Sequence, residues 1–225
     1  MKTKPPKSKP ATSLAIDPAT PDVGVIAEAV RVLKSGGLVV FPTRCLYGIA
    51  ADAGNVRAVE RIYRVKHRLP YKPIPVLVGD YEMLSRVVQD LPLQTRRRLK
   101  SVWPGRLTIV LWGRPHLPDI LTGGTGNIGV RIPAHPVARA LVRYFGRPIT
   151  ATSANVSDYP GCSDLAQLNP VIRHGVDLLL DAGPLEGGAG STVLDLTVHP
   201  YKILREGAVG RDELAAALGS DLLQE

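Results

Sequence analysis

Aromatic side chains supply only 5% of the 225 residues, with two Trp and two Phe among them. The interior therefore has to be filled mainly by Val, Leu, Ile and Ala, within a hydrophobic content of 44%. Cysteine is scarcer still. Cys45 and Cys162 have no metal-ligand spacing and are too few for a disulfide framework, a pattern that suits a reducing, cytoplasmic setting. No apolar run approaches the roughly 20 residues of a membrane span. The N-terminal MKTKPPKSKP carries charge without a following apolar stretch and does not read as a signal peptide. The five histidines are scattered, and there is no G-x-S-x-G and no H-E-x-x-H. A nucleophile elbow and a catalytic metal held by the protein alone are both excluded; no metal ligand is expected. His135 and His199 each precede a proline and read as loop positions.

What is plentiful is turn chemistry and positive charge. Twenty-two glycines and 20 prolines imply many tight turns, below the range of low-complexity chains. The length fits one generous domain with a core that needs no staples. The formal charge is +8, and Lys2, Lys4, Lys7 and Lys9 supply half of it. Residues 1–21 read as a basic, disordered arm, 22–210 as the domain, and 211–225 as a C-terminal helix packed on it. The run RRRLK at 96–100 is a wet helix face. The charge balance favours anionic partners, either nucleotide or RNA.

Along the chain, VGVIAEAVRVLKSGG has helical spacing closed by Gly36 and Gly37, and LVVF is a short buried strand. NVRAVERIYRVKHR, DYEMLSRVV, LPLQTRRRLKSVW, HPVARALVRYFG and RDELAAALGSDLLQ are further helices. IPVLVG, LTIVLW, NIGVRIP, PITATSAN, VDLLLDAG, STVLDLT and YKILREGAV are strands. Several strands follow one another without a helix between them. The prediction is an α/β (α+β) layer fold with a mixed sheet, not a simple parallel one.

Two glycine-rich segments fail their tests. GTGNIG at 124–129 matches a dinucleotide fingerprint, but a strand follows it and not a helix. GPLEGGAGST at 183–192 lacks the lysine of a phosphate loop. Polar groups at strand and helix ends carry more. In VVFPTRCLYGIA an apolar strand stops at Pro42, and Thr43, Arg44 and Cys45 follow. KHRLPYKP sets Lys66 and Arg68 two apart at a helix end, where cations are favoured anyway and where the pair also suits phosphates. Arg131 sits between Val130 and Ile132 inside an apolar strand and needs an anionic partner or water. TATSANVS ends a strand with Thr150, Thr152, Ser153, Asn155 and Ser157, either as a turn or as donors to a ligand. Ser191 and Arg205 fall at a strand start and a strand end. Together these describe a crevice at a sheet edge that binds an anion.

In order and spacing, FPTRCLYGIAADAGNVRAVERIYRVKHRLPYKPIPVLV, WPGRLTIVL, GVRIPAHPVARAL, PITATSANVS, STVLDLT and ILREGAV resemble the YrdC-like threonylcarbamoyl-AMP synthase family, from about Gly24 to Gly210. The resemblance implies a twisted mixed open sheet with flanking helices and a large positively charged cavity, the YrdC-like (RibB-like) fold. It implies a nucleotidyltransferase that joins L-threonine, bicarbonate and ATP into threonylcarbamoyl-adenylate and pyrophosphate, with Mg²⁺ arriving on the nucleotide. The product would feed a downstream threonylcarbamoyl transferase complex acting on tRNA. On this resemblance Thr43, Arg131, Ser153 and Ser191 would meet the threonine. Lys66, Arg68, Asn127, Asn155, Ser163 and Arg205 would meet ATP, with Lys66, Arg68, Ser153 and Asn155 as the catalytic set. The family's usual PTET-YGLG, KGRP and PSAN are PTRCLYGIA, KHRLP and TSAN here, so Arg44 stands where an acid is common. Some relatives of this fold have been discussed as factors binding double-stranded RNA or tRNA, which is the rival expectation.

Overall fold

In a computed structural model, which describes residues 11–219 and 223, the first element is already a strand. β1 (Thr12–Ala15) runs parallel to β9 (Leu178–Asp181), with Thr12 opposite Leu178 and Ala15 opposite Asp181. The expectation of a disordered arm over residues 1–21 is therefore corrected from Thr12 onward. TSLA is mostly exposed, so no hydrophobic alternation announces it; what holds it is the backbone ladder of a sheet edge. Residues 1–10 and their four lysines lie outside the described residues.

Helix starts are written in their caps. The Asp22 carboxylate accepts from the Val25 amide at 2.9 Å to open α1 (Val23–Lys34). Asn55 does the same for Ala58 at 3.2 Å, opening α2 (Val56–Lys66). After β2 (Val39–Pro42) the chain turns straight back as β3 (Tyr47–Ala50), Pro42 facing Tyr47 and Val39 facing Ala50. VVFPTRCLYGIA is thus a whole hairpin. Then come β4 (Val76–Leu77), α3 (Tyr81–Ser85), α4 (Leu93–Val102), β5 (Leu107–Trp112), α5 (Asp119–Thr122), β6 (Asn127–Arg131) and α6 (Pro136–Phe145). The chain continues through β7 (Ile149–Thr150), β8 (Thr152–Ser153), α7 (Pro170–Gly175), β9, β10 (Thr192–Asp195), β11 (Lys202–Arg205) and α8 (Arg211–Leu218).

The mixed strands divide into two sheets, ordered β1-β9-β2-β3-β8 and β11-β10-β5-β6-β4-β7. PITATSAN, one strand by its pattern, serves both. Ile149 and Thr150 pair antiparallel with β4, while Thr152 and Ser153 pair antiparallel with β3. Between them the Ala151 amide donates to the Pro75 carbonyl at 2.8 Å. The interior is aliphatic, as the composition requires, with Val39, Val40, Ile49, Ile109, Val130 and Leu179 fully buried. α1 packs on α6, and α4 on α8, whose Leu214 and Leu218 are buried. No helix among the described residues is long and apolar enough to cross a membrane.

Candidate active site

The strand ends converge on two cavities that share a wall. The larger, about 570 Å³, is lined by Thr43, Lys66, Arg68, Arg131, Ser153, Asn155, Ser191 and Arg205 among others. The smaller, about 520 Å³, lies beyond Thr43, Arg131 and Ser191, which line both. Four cations face the larger cavity against one carboxylate, Asp158, which is ion-paired with Lys72 at 3.2 Å. The space is therefore built for a polyanion.

Each polar wall has a local cause. The hairpin loop is closed by Thr43, whose hydroxyl donates to the Leu46 carbonyl at 2.6 Å while its amide reaches the same oxygen at 3.2 Å. α2 ends with His67 in the left-handed region, φ 48°. That turn lets the last helical residue, Lys66, and Arg68, two residues on, both reach the cavity. Lys66 is buried and donates through Nζ to the carbonyls of Ser153 and Asn155, the latter at 2.6 Å. Arg68 donates to the carbonyls of Lys72 at 3.1 Å and Pro73 at 2.8 Å. Burial, with Arg68 beside it, pushes the Lys66 ammonium down to about 7. Asn155 in turn donates to the carbonyls of Val156 at 2.8 Å and Tyr159 at 2.6 Å.

Arg131 is different. It ends β6 between the two cavities, its Nε is enclosed, and no hydrogen bond or ion pair holds it among the described residues. Burial, then repulsion from Arg205, lowers its guanidinium to about 10. Arg205 is spent on Ser191, donating to its carbonyl at 2.6 Å, and the Ser191 hydroxyl meets Thr108 Oγ1 at 2.8 Å. Ser157 contributes an enclosed hydroxyl without a partner to the larger cavity.

Two expected site residues are not brought in. Asn127 lies at the far end of β6 from Arg131, opposite Trp112, with Nδ2 to Thr197 Oγ1 at 3.4 Å. Ser163 lines neither cavity, and its carbonyl accepts from Leu185 at 2.8 Å beneath the glycine-rich loop. Arg44 adds no free cation, because it pairs with Glu186 at 2.8 Å across the mouth of the smaller cavity. Sequence reasoning passed over Arg106 and read His135 only as a loop position; both line that cavity with Arg131. The signal available was their place in WPGR and RIPAHP, directly flanking strand ends.

Fold and site together define a two-sheet α/β protein with a cationic cavity at its strand ends; no cluster of three His, Cys, Asp or Glu that could hold a metal occurs among the described residues. Comparison with known proteins narrows the class. The Sua5/YciO/YrdC family model, described as "Telomere recombination", matches residues 31–207, and the chain belongs to that family. A Mycobacterium tuberculosis protein provisionally named a threonylcarbamoyl-AMP synthase is 38% identical over 205 residues, 91% of this chain and 94% of its own length. The crystal structure of Pyrococcus abyssi Sua5 complexed with L-threonine superposes with a TM-score of 0.89 at 30% identity, covering 95% of this chain and 63% of that one. The chain thus spans under two thirds of that protein. E. coli YciO superposes with a TM-score of 0.81 at 28% identity, covering 88% of this chain and 96% of that one.

Proposed function

We propose that this chain is an L-threonylcarbamoyladenylate synthase, a nucleotidyltransferase acting on ATP, L-threonine and bicarbonate. The observation that carries this reading is the unpartnered Arg131 at the junction of two cavities, in a chain whose relatives carry the synthase name. A half-buried guanidinium without a counter-charge favours a ligand that supplies one, and an amino-acid carboxylate fits it as a fork. Thr43 and Ser191, which share that junction, would hold the rest of the threonine. Lys66, Arg68, Asn155 and Arg205 would then face the nucleotide in the larger cavity, with Ser153 between the two substrates.

The chemistry needs no protein nucleophile. The threonine amine takes up the carbon of bicarbonate to give a carbamate, and a carbamate oxygen attacks the α-phosphorus of ATP. The bond to the β-phosphate oxygen breaks, and pyrophosphate leaves. Two anions must approach one another, so the chain's part is to hold both and to offset their charge. Lys66 and Arg68, already fixed by carbonyls, cost no reorganisation when the nucleotide arrives. Asp158 is tied to Lys72, so the cavity supplies no carboxylate set for a resident Mg²⁺. An ion arriving with ATP takes its ligands from phosphates and water.

The test is pyrophosphate release from ATP by the full chain, with and without threonine and bicarbonate. Release that requires both is expected; release indifferent to threonine removes the reading. The product's consumer would be a threonylcarbamoyl transferase complex acting on tRNA in the cytoplasm. A second reading, RNA binding, is favoured by one observation. The side chains of Arg97, Arg98 and Lys100 are exposed on α4 without hydrogen bonds or ion pairs among the described residues. Salt-dependent tRNA binding lost on replacing all three by Gln would support it, and binding unchanged by the replacement would remove it.

A further inference from the structure

Carbamate formation begins with a proton that has to leave. Threonine in water is an ammonium, and only its free amine can bond to carbon. The residues lining the two cavities offer few groups able to accept that proton. Asp158 is neutralised by Lys72 and Glu186 by Arg44. Lys66 faces the larger cavity only, where the nucleotide is placed, and donates to carbonyls of the Ser153–Asn155 turn. Glu213 stands exposed on α8. His135 remains.

His135 lines the smaller cavity beside Arg131, from which it is separated by Ile132, Pro133 and Ala134. It occupies the N-cap of α6 yet makes no capping hydrogen bond, and its Nδ1 is enclosed without a partner. The ring is thus neither a cap nor a satisfied core histidine, and Nε2 is the nitrogen left for the cavity. The charged and titratable groups around it are Arg131 from β6, Arg106 from the loop before β5, Glu213 from α8, and Cys45 with the mutually paired Arg44 and Glu186. Burial, then the Arg131 charge, lowers the imidazole from its usual range, so it stands neutral at physiological pH and able to take a proton.

Resting on the synthase reading, we propose that His135 is the catalytic base that deprotonates the threonine ammonium for carbamate formation. With the threonine carboxylate on Arg131, the α-amine two bonds away falls in the same cavity as the ring. One ammonium proton passes to Nε2. The freed lone pair bonds to the bicarbonate carbon, the bond from that carbon to hydroxyl breaks, and a second amine proton leaves with the hydroxide as water. The products are threonine carbamate, water and an imidazolium, so charge and atoms balance without an oxidant or a metal.

The experiment measures kcat/KM for threonine in pyrophosphate release, across pH, for wild type and His135→Asn. Asparagine is favoured at an N-cap, so the start of α6 is preserved, and ATP binding by calorimetry should be unchanged. Near pH 7 the variant should lose about 100-fold. Its profile should then climb about tenfold per pH unit, as threonine frees its own amine, while the wild type stays level from about pH 7 to 8.5. A variant within threefold of wild type, or two parallel profiles, overturns the base. Should the variant not fold, His135→Gln takes its place in the same comparison, and a Gln variant within threefold of wild type, or with a parallel profile, overturns the base likewise. Wild type without threonine-dependent release removes the synthase reading and this base with it; active wild type beside an active variant removes the base alone.

Discussion

The two walls of the site hold their cations in opposite ways. On one, Lys66 and Arg68 are locked into carbonyls of the chain itself. On the other, Arg131 is half-buried with its Nε enclosed, and its side chain has no partner among the described residues. A cation bonded to backbone serves the fold and the ligand together, so its loss should damage both. A cation held in reserve serves the ligand alone, and the folded protein bears its desolvation until the ligand binds.

The largest expected effect comes from breaking the second wall. Arg131→Met should cut threonine-dependent pyrophosphate release about 100-fold, while the melting temperature holds or rises because a half-buried, uncompensated charge is gone. Lys66→Met should show the contrary signature. ATP affinity should fall about tenfold, and denaturant unfolding should register a loss of about 1–3 kcal/mol as two carbonyls lose their donor. A third measurement sharpens the same contrast. Because burial brings Lys66 to about 7, the folded protein loses that charge as pH rises through neutrality. ATP affinity should weaken from pH 6 to 8 in wild type and stay level in Lys66→Arg. Calorimetry at pH 8 in buffers of different ionisation enthalpy should show proton uptake on binding. The linkage has a matching stability sign. The unfolded chain binds more protons between about 7 and 10, so this lysine makes stability rise with pH across that window.

His67 offers a smaller and purely conformational test. Its φ of 48° strains a side chain, and His67→Gly should raise unfolding stability by up to about 1 kcal/mol without altering turnover. Least of all should change in Asn127→Ala and Ser163→Ala, with ATP affinity within about twofold of wild type. A tenfold loss in either would return it to the nucleotide site.

Most helices and the longer strands were legible because their periodicity and caps are local. Ile26, Ala29, Val30 and Leu33 spell one face, and Asp22 and Asn55 mark two starts. β3 was not legible, since Tyr47 to Ala50 carries no alternation and is buried on both faces. β1 needed knowledge of an open edge on β9, which no residue of TSLA encodes. For the site, Thr43, Arg131, Ser153 and Asn155 stood out as polar groups interrupting apolar runs. Arg106 and His135 did not, because each sits in a turn, where polar residues are expected. Asn127 came from the resemblance alone. It shares β6 with Arg131, but four residues along a strand amount to about 13 Å, enough to leave the cavity altogether.

The crossing at Ala151 has a consequence for how substrates come and go. Within four residues the chain is hydrogen-bonded first to one sheet and then to the other, and the Ser153 end of that stitch lines the larger cavity. Prising the layers apart like a clamshell would tear ladders on both sides at once. Traffic in and out must instead pass the loops around the cavities, and not rely on any breathing of the layers.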